Sequence, residues 1–150
     1  MERTPQQYMF EALTLAEQAA AAGEVPVGAI VVRGGEIIAR AYNLVEASCD
    51  ATRHAEISAI SLAAKIKGDW RLNDCALYVT MEPCPMCIGA ILLSRIKELY
   101  FGCYDPRLGA VGSQIDLSTF PNFGENLKVF PELLAEPARD IVQRFFSTRR

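Results

Sequence analysis

ALYVTMEPCPMCIGAILLS (residues 76–94) changes its pattern halfway along. Its first six residues form a short continuous apolar run, the pattern of a central strand covered on both faces. Pro83 and Pro85 stop that strand, and the spacing then predicts a helix over about Met86 to Ser94. ELYFG follows as a second strand ending at Gly102, so the centre of the chain reads strand–helix–strand. Upstream, a helix is predicted from His54 or Ala55 to Lys67, ended by Gly68. Its apolar residues (Ile57, Ala59, Ile60, Leu62, Ala63 and Ile66) surround most of the circumference, which predicts a largely buried helix. VPVGAIVV (25–32) and IIARAY (37–42) flank Gly34-Gly35, whose freedom to take positive φ suits a tight antiparallel hairpin. Asn43 to Arg53 has no period and reads as a loop. Residues 5–22 read as a first helix with Thr4 as N-cap, Pro5 at the first helical position, Gln7 closing a capping box and Gly23 as the stop. Cys103 to Asn126 is a long Gly- and Pro-bearing stretch of the kind that is functional or disordered. LKVF (127–130) adds a strand, and a last helix over about Glu136 to Ser147 places Ile141, Val142 and Phe145 on one face. This order implies an α/β domain with helices on both faces of its sheet.

The 150 residues predict a single domain, 1–150. Hydrophobic residues are 51% and charged residues 22%, which excludes disorder and low complexity. No apolar run is long enough to span a bilayer. The N-terminal MERTPQQ lacks the plan of a signal peptide, so a soluble, cytoplasmic protein is expected. A net charge of −3 argues against broad, sequence-blind nucleic-acid binding. It leaves room for a local basic patch, and Arg139, Arg144, Arg149 and Arg150 crowd the C-terminus. Five cysteines, an odd number, do not form a disulfide framework. Cys49, Cys75 and Cys103 read as small buried hydrophobes. His54 is the one histidine, so any chemistry that needs imidazole must use it.

Two clusters carry chemistry: His54-Ala55-Glu56 and Pro83-Cys84-Pro85-Met86-Cys87, each where the chain enters a helix. Helix N-termini favour ionised thiolate. Cys84 and Cys87, three residues apart, share a helical face and can share a metal. Thiolate and imidazole are zinc ligands, and three protein ligands plus water is the catalytic arrangement. His54, Cys84 and Cys87 supply three with no evident fourth, which predicts an open site where zinc lowers the pKa of bound water toward about 7. Glu56, two residues from His54, is placed to accept that water's proton and deliver it to a substrate. Other readings stay open on the residues alone. Cys-x-x-Cys between strand and helix also suits a thiol–disulfide oxidoreductase. The zinc could instead stabilise a non-catalytic RNA-binding module, and Glu56 could be a plain helix-dipole charge.

His-x-Glu followed by Pro-Cys-x-x-Cys resembles the zinc nucleobase deaminases. Along nearly the whole chain the sequence is similar to the bacterial tRNA adenosine deaminase family. The matching segments are Glu24-Val-Pro-Val-Gly-Ala29, Asn43, His54-Ala-Glu-Ile57, Glu82-Pro-Cys-Pro-Met-Cys87, Tyr100-Phe-Gly102, Gly109-Ala-Val-Gly-Ser113 and Arg144-Phe-Phe146. The resemblance implies a cytidine-deaminase-like three-layer α/β/α sandwich with a five-stranded mixed sheet, and a homodimer. It implies one zinc per chain on His54, Cys84 and Cys87, with Glu56 as proton shuttle and Asn43, Ala55 and Phe146 toward substrate. The implied reaction converts adenosine to inosine at the anticodon wobble position of tRNA. A free guanine- or cytosine-type base is the alternative substrate, because the zinc motif does not separate the two. Asp50-Ala51-Thr52-Arg53 departs from the family habit, which has a proline at Ala51 and a small residue at Arg53. That change leaves Arg53 either to an RNA phosphate or to solvent.

Overall fold

The computed structural model describes residues 3–121 and 127–149. In chain order the elements are α1 (Pro5–Ala21), β1 (Gly28–Arg33), β2 (Glu36–Tyr42), α2 (Val45–Ser48), α3 (Ala55–Lys67), β3 (Cys75–Met81), α4 (Pro85–Leu93), β4 (Glu98–Cys103), β5 (Lys128–Phe130) and α5 (Ala135–Ser147). One five-stranded sheet runs β2-β1-β3-β4-β5. β1 is antiparallel to β2 and β3, while β3, β4 and β5 are parallel, so the sheet is mixed as expected.

Alternation along β3 builds the three layers. Leu77 and Val79 point into a core with Ala59 and Ala63 of α3 and Ile88 and Ile91 of α4. Tyr78 points the other way, into a core with Met9 and Ala12 of α1 and Ile141 of α5. α1 is nucleated as its sequence predicts: Thr4 accepts from the Gln7 amide while the Gln7 side chain accepts from the Thr4 amide. Gly28 lets α1 lie directly on β1, because a Cβ there would overlap the Ala12 carbonyl and sit 2.7 Å from the Ala16 nitrogen. Gly34 and Gly35 take φ of 57° and 81° in the hairpin turn.

Three expectations need correction. Asn43–Arg53 is not all loop, for Val45–Ser48 form one helical turn. A single turn has no period to read, and two of its amides are held by the distant Glu24 side chain. α3 is buried through Ala55, Glu56, Ala59 and Ala63, but Leu62 is 40% and Ile66 58% exposed, so its apolar circumference is only partly covered. Cys75 and Cys103 are buried with thiols pushed up to about 11 by that burial, whereas Cys49 is exposed at the left-handed end of α2. The stretch after Cys103 forms turns tied by a Val111–Asp116 bridge, and its expected continuation over residues 122–126 lies outside the described residues, as does Arg150. Among the described residues no helix is long and apolar enough to cross a membrane.

Candidate metal centre and substrate pocket

The site forms where the starts of two helices, α3 and α4, deliver side chains to one point. His54 is the N-cap of α3 and Cys84 the N-cap of α4, both with extended backbone. An N-cap side chain ordinarily turns back to accept from its own helix. Neither His54 nor Cys84 does so. Their donor atoms are left to point outward, toward each other. Cys87 lies in the first turn of α4 and is fully buried. Parallel β3 carries the chain to Glu82 and Pro83, so the strand end fixes where α4 starts.

His54 Nδ1 lies 3.6 Å from Cys84 Sγ and 3.5 Å from Cys87 Sγ. Zn–S bonds of about 2.3 Å and Zn–N bonds of about 2.05 Å at tetrahedral angles require an N···S edge of roughly 3.6 Å. The triangle fits zinc, with Nδ1 rather than Nε2 as the imidazole donor. A thiol–disulfide pair has no use for a histidine held at metal-ligand distance from both sulfurs. The three donor atoms all lie within 4.8 Å of one another, and among the described residues no fourth side chain joins them. The site is open rather than closed.

The electrostatics suit a cation. Cys84 is pushed down to about 4, chiefly by the hydrogen bond from the Cys87 thiol and further by His54. Cys87 moves up because it donates to Cys84 and is buried. His54 moves up through its contact with Cys84. One sulfur of the pair is thus favoured as thiolate beside the imidazole, a donor suited to a cation. Glu56 is 4% exposed, with Cys87 and His54 beside it, and burial pushes its carboxyl up to about 7.

A cavity of about 940 Å³ opens onto His54, Glu56 and Cys84. Asn43 and Ala55, both buried, lie on its wall, as does the half-exposed Phe146. The cavity thus brings together the expected substrate-side residues and the metal group, except Cys87, which lies beneath. Asn43 is locked: its Nδ2 donates to the Val25 carbonyl at 3.3 Å and its Oδ1 accepts from the Val45 amide at 3.2 Å. One amide hydrogen and one lone pair of the side chain stay free for a ligand. Val142 also lines the cavity instead of serving only the core, and Arg107 and Arg149 stand on it as well. Arg149 stacks on Phe145 at 4.3 Å, while Arg144 pairs with Glu17 across the helices at 3.6 Å. Arg53 pairs with Asp50 at 3.5 Å, and Asp50 accepts from both the Thr52 amide and its hydroxyl, which braces the loop that lacks the proline.

Residues 2–103 match the family described as the cytidine and deoxycytidylate deaminase zinc-binding region. The chain belongs to that family. The tRNA-specific adenosine deaminase of Bacillus subtilis (strain 168) is 43% identical over 143 residues, 95% of this chain and 89% of that one. Its counterpart in Haemophilus influenzae is 44% identical over 143 residues, 95% of this chain and 83% of that one. A solved structure from a study of A-to-I editing by tRNA:A34 deaminases superposes with a TM-score of 0.86 at 39% identity, covering 90% of this chain and 98% of that one. A guanine deaminase from Nitrosomonas europaea superposes with a TM-score of 0.81 at 25% identity, covering 96% and 85%. The chain is thus a zinc-binding deaminase domain with the cytidine-deaminase-like fold expected of it. Glu24 and Glu82, two buried carboxylates against this cavity, belong to no chemical motif in the sequence. A charged residue directly beside a wholly apolar run was the available signal for both.

Proposed function

We propose that this chain, as one domain over residues 1–150, hydrolytically deaminates adenosine to inosine at the wobble position of a tRNA anticodon stem-loop in the cytoplasm. The observation that carries the chemistry is the open triangle of His54, Cys84 and Cys87 with Glu56 buried beside it. Bound zinc supplies a Lewis acid that makes a water ligand nucleophilic at neutral pH. Water adds to C6 of the base, the exocyclic nitrogen leaves as ammonia, and inosine keeps the oxygen. The water must give up a proton and the departing nitrogen must gain one. Glu56 accepts that proton and carries it to the ring nitrogen, then takes the water's second proton from the hydroxyl added at C6 and delivers it to the amine, so the base keeps C6=O and N1–H as ammonia leaves. Its burial keeps bulk water from exchanging with it. Asn43 offers its free amide hydrogen and lone pair to the base edge, and Ala55 forms the wall beside the ligands.

Support for RNA comes from the relatives' names and from the cavity itself. It is far larger than one base needs, and Arg107, Arg149 and Phe146 on it suit phosphates and a stacked base. A free purine is the second reading, favoured by the likeness to guanine deaminase structures. Inosine formed in a stem-loop, with free guanine and cytosine left unturned, supports the first; comparable turnover of a free base overturns it.

A homodimer completes the proposal. His54, Ser58, Leu62 and Ile66 lie at four-residue spacing on one line of α3. Leu62 and Ile66 are exposed, as are Met86 and Leu93 of α4 in the same layer. This apolar face begins at the metal donors, so a second copy seated there covers their flank.

A further inference from the structure

Two carboxylates lie outside the metal group, on either side of the cavity. Glu24 is 1% and Glu82 3% exposed, and among the described residues neither pairs with a cation. A carboxylate buried this way is retained only when donors converge on it. Here the donors are backbone amides of the two segments that wall the cavity. Glu24 Oε1 accepts from the Glu46 amide at 2.9 Å and Oε2 from the Ala47 amide at 2.8 Å. These amides open α2, and the same turn offers the Val45 amide that holds Asn43. Glu82 Oε1 accepts from the Asp105 amide at 2.9 Å and from the Ser113 hydroxyl. Its Oε2 accepts from the Val111 and Ser113 amides at 2.9 and 3.0 Å. Gly109 lies so close that a Cβ would overlap this carboxylate. Asp105 to Leu108, the segment under this clasp, lines the cavity.

We infer that Glu24 and Glu82 are positioning residues of the substrate pocket: Glu24 fixes the wall that carries Asn43, and Glu82 fixes the 105–113 wall. Neither touches the reacting atoms. The inference rests on the deaminase reading above, since it concerns how that pocket grips its base and flanking strand. All oxygens of both groups accept, so glutamine is not conservative here. Its amino group must face an N–H donor, which removes one amide bond at Glu24 and leaves at least the Asp105 amide or the Val111 and Ser113 amides opposed at Glu82.

The test uses the full zinc-loaded chain with Glu24→Gln, Glu82→Gln and the milder Ser113→Ala, which removes one of the four donors to Glu82. Zinc per chain should equal wild type in all three. KM for a wobble-adenosine stem-loop should rise roughly tenfold in Glu24→Gln and further in Glu82→Gln, as losing a hydrogen bond to a charged group implies. Ser113→Ala should raise it a few-fold, and kcat should stay within about threefold throughout. In an Asn43→Ala background Glu24→Gln should add little, because both act through one group, while Glu82→Gln should add its full effect. Amide exchange should quicken at residues 46 and 47 in Glu24→Gln and at 105, 111 and 113 in Glu82→Gln, with the sheet unchanged. An unchanged KM, a full additional effect of Glu24→Gln beside Asn43→Ala, or uniformly faster exchange overturns the inference. Should wild type form no inosine, the tRNA-adenosine reading fails. The clasps are then judged by exchange alone: acceleration confined to the pocket walls supports them, and its absence overturns them.

Discussion

Ile66 gives the most direct test of the proposed second copy. It is 58% exposed at the outer end of the α3 line, among side chains of one chain that bury little of it. Full burial of an Ile, Leu or Met side chain is worth about 1.5–3 kcal/mol. Covering the exposed part of Ile66 therefore contributes about 1–1.7 kcal/mol per protomer. A two-fold interface counts each residue twice. Ile66→Lys should weaken association by about 2–3 kcal/mol, or roughly 30- to 150-fold in Kd. Stability of the single chain should move by less than about 0.5 kcal/mol, because an exposed side chain is being exchanged. Phe10→Lys is the matched control: Phe10 is 62% exposed but belongs to α1, in the opposite layer. Sedimentation equilibrium over a concentration series separates the cases. A wild type that stays monomeric at micromolar concentration refutes the reasoning, and so does equal weakening by Phe10→Lys.

Other perturbations follow from the site and its surroundings. Glu56→Gln should keep wild-type zinc and lower kcat for inosine formation by about 10²–10⁴, the usual contribution of a positioned proton carrier, read by nucleoside chromatography. Chelation should leave the protein folded, since two apolar cores in a chain of this size need no staple, yet lower its Tm by roughly 10 °C. That figure takes zinc at about 1,000 times its Kd and 2–4 °C per kcal/mol for a chain of this size; calorimetry checks it. Asp74 receives Lys67 Nζ and Arg33 Nε, each at 2.8 Å, and Lys67 above all holds its carboxyl well below 3.8. A depressed folded value adds stability above the unfolded value and loses it as pH falls through the folded one. Asp74 is 45% exposed, so solvent screening keeps the loss in Asp74→Asn under roughly 1 kcal/mol at pH 7, and the difference from wild type should shrink below about pH 4 in urea titrations. Phe146→Ala should raise KM for the stem-loop by roughly five- to 150-fold, as loss of one base stack predicts, and leave zinc content untouched.

The candidate metal donors were legible because their chemistry resides in residue type. One histidine and a Cys-x-x-Cys leave few ways to build a zinc site, and both motifs sit where a break in pattern marks a helix start. The strands were legible for a related reason: Leu77, Tyr78 and Val79 must feed two cores, which forces an unbroken apolar run. α3 misled because its apolar residues are alike whether covered by the chain's own sheet or by a second copy. Leu62 and Ile66 therefore read as core. The single turn of α2 was invisible because it is made by contacts rather than by its own sequence.

Glu24 and Glu82 mark the limit of such reading. Apart from the Ser113 hydroxyl, their partners are backbone amides 22 to 31 residues away, and every non-proline residue has one. Nothing in the identity of Ala47 or Val111 announces that its N–H will meet a carboxylate. What the sequence does hold is the complement of that contact. Gly109 provides the room without which the Glu82 carboxylate and the 105–113 segment would collide. Asn43 stands where a side chain can take both a carbonyl and an amide of its own loop and still have one hydrogen and one lone pair to offer. The proposed chemistry at the metal needs only four side chains, His54, Glu56, Cys84 and Cys87, all within the segment that matches the family. Under the proposed function, selecting one base in one strand needs walls that hold still, and buried carboxylates that take backbone amides and the Ser113 hydroxyl hold those walls directly. Under that proposal, substrate preference can change through Arg107, Leu108 or Phe146, which line the cavity, without moving the frame that places them.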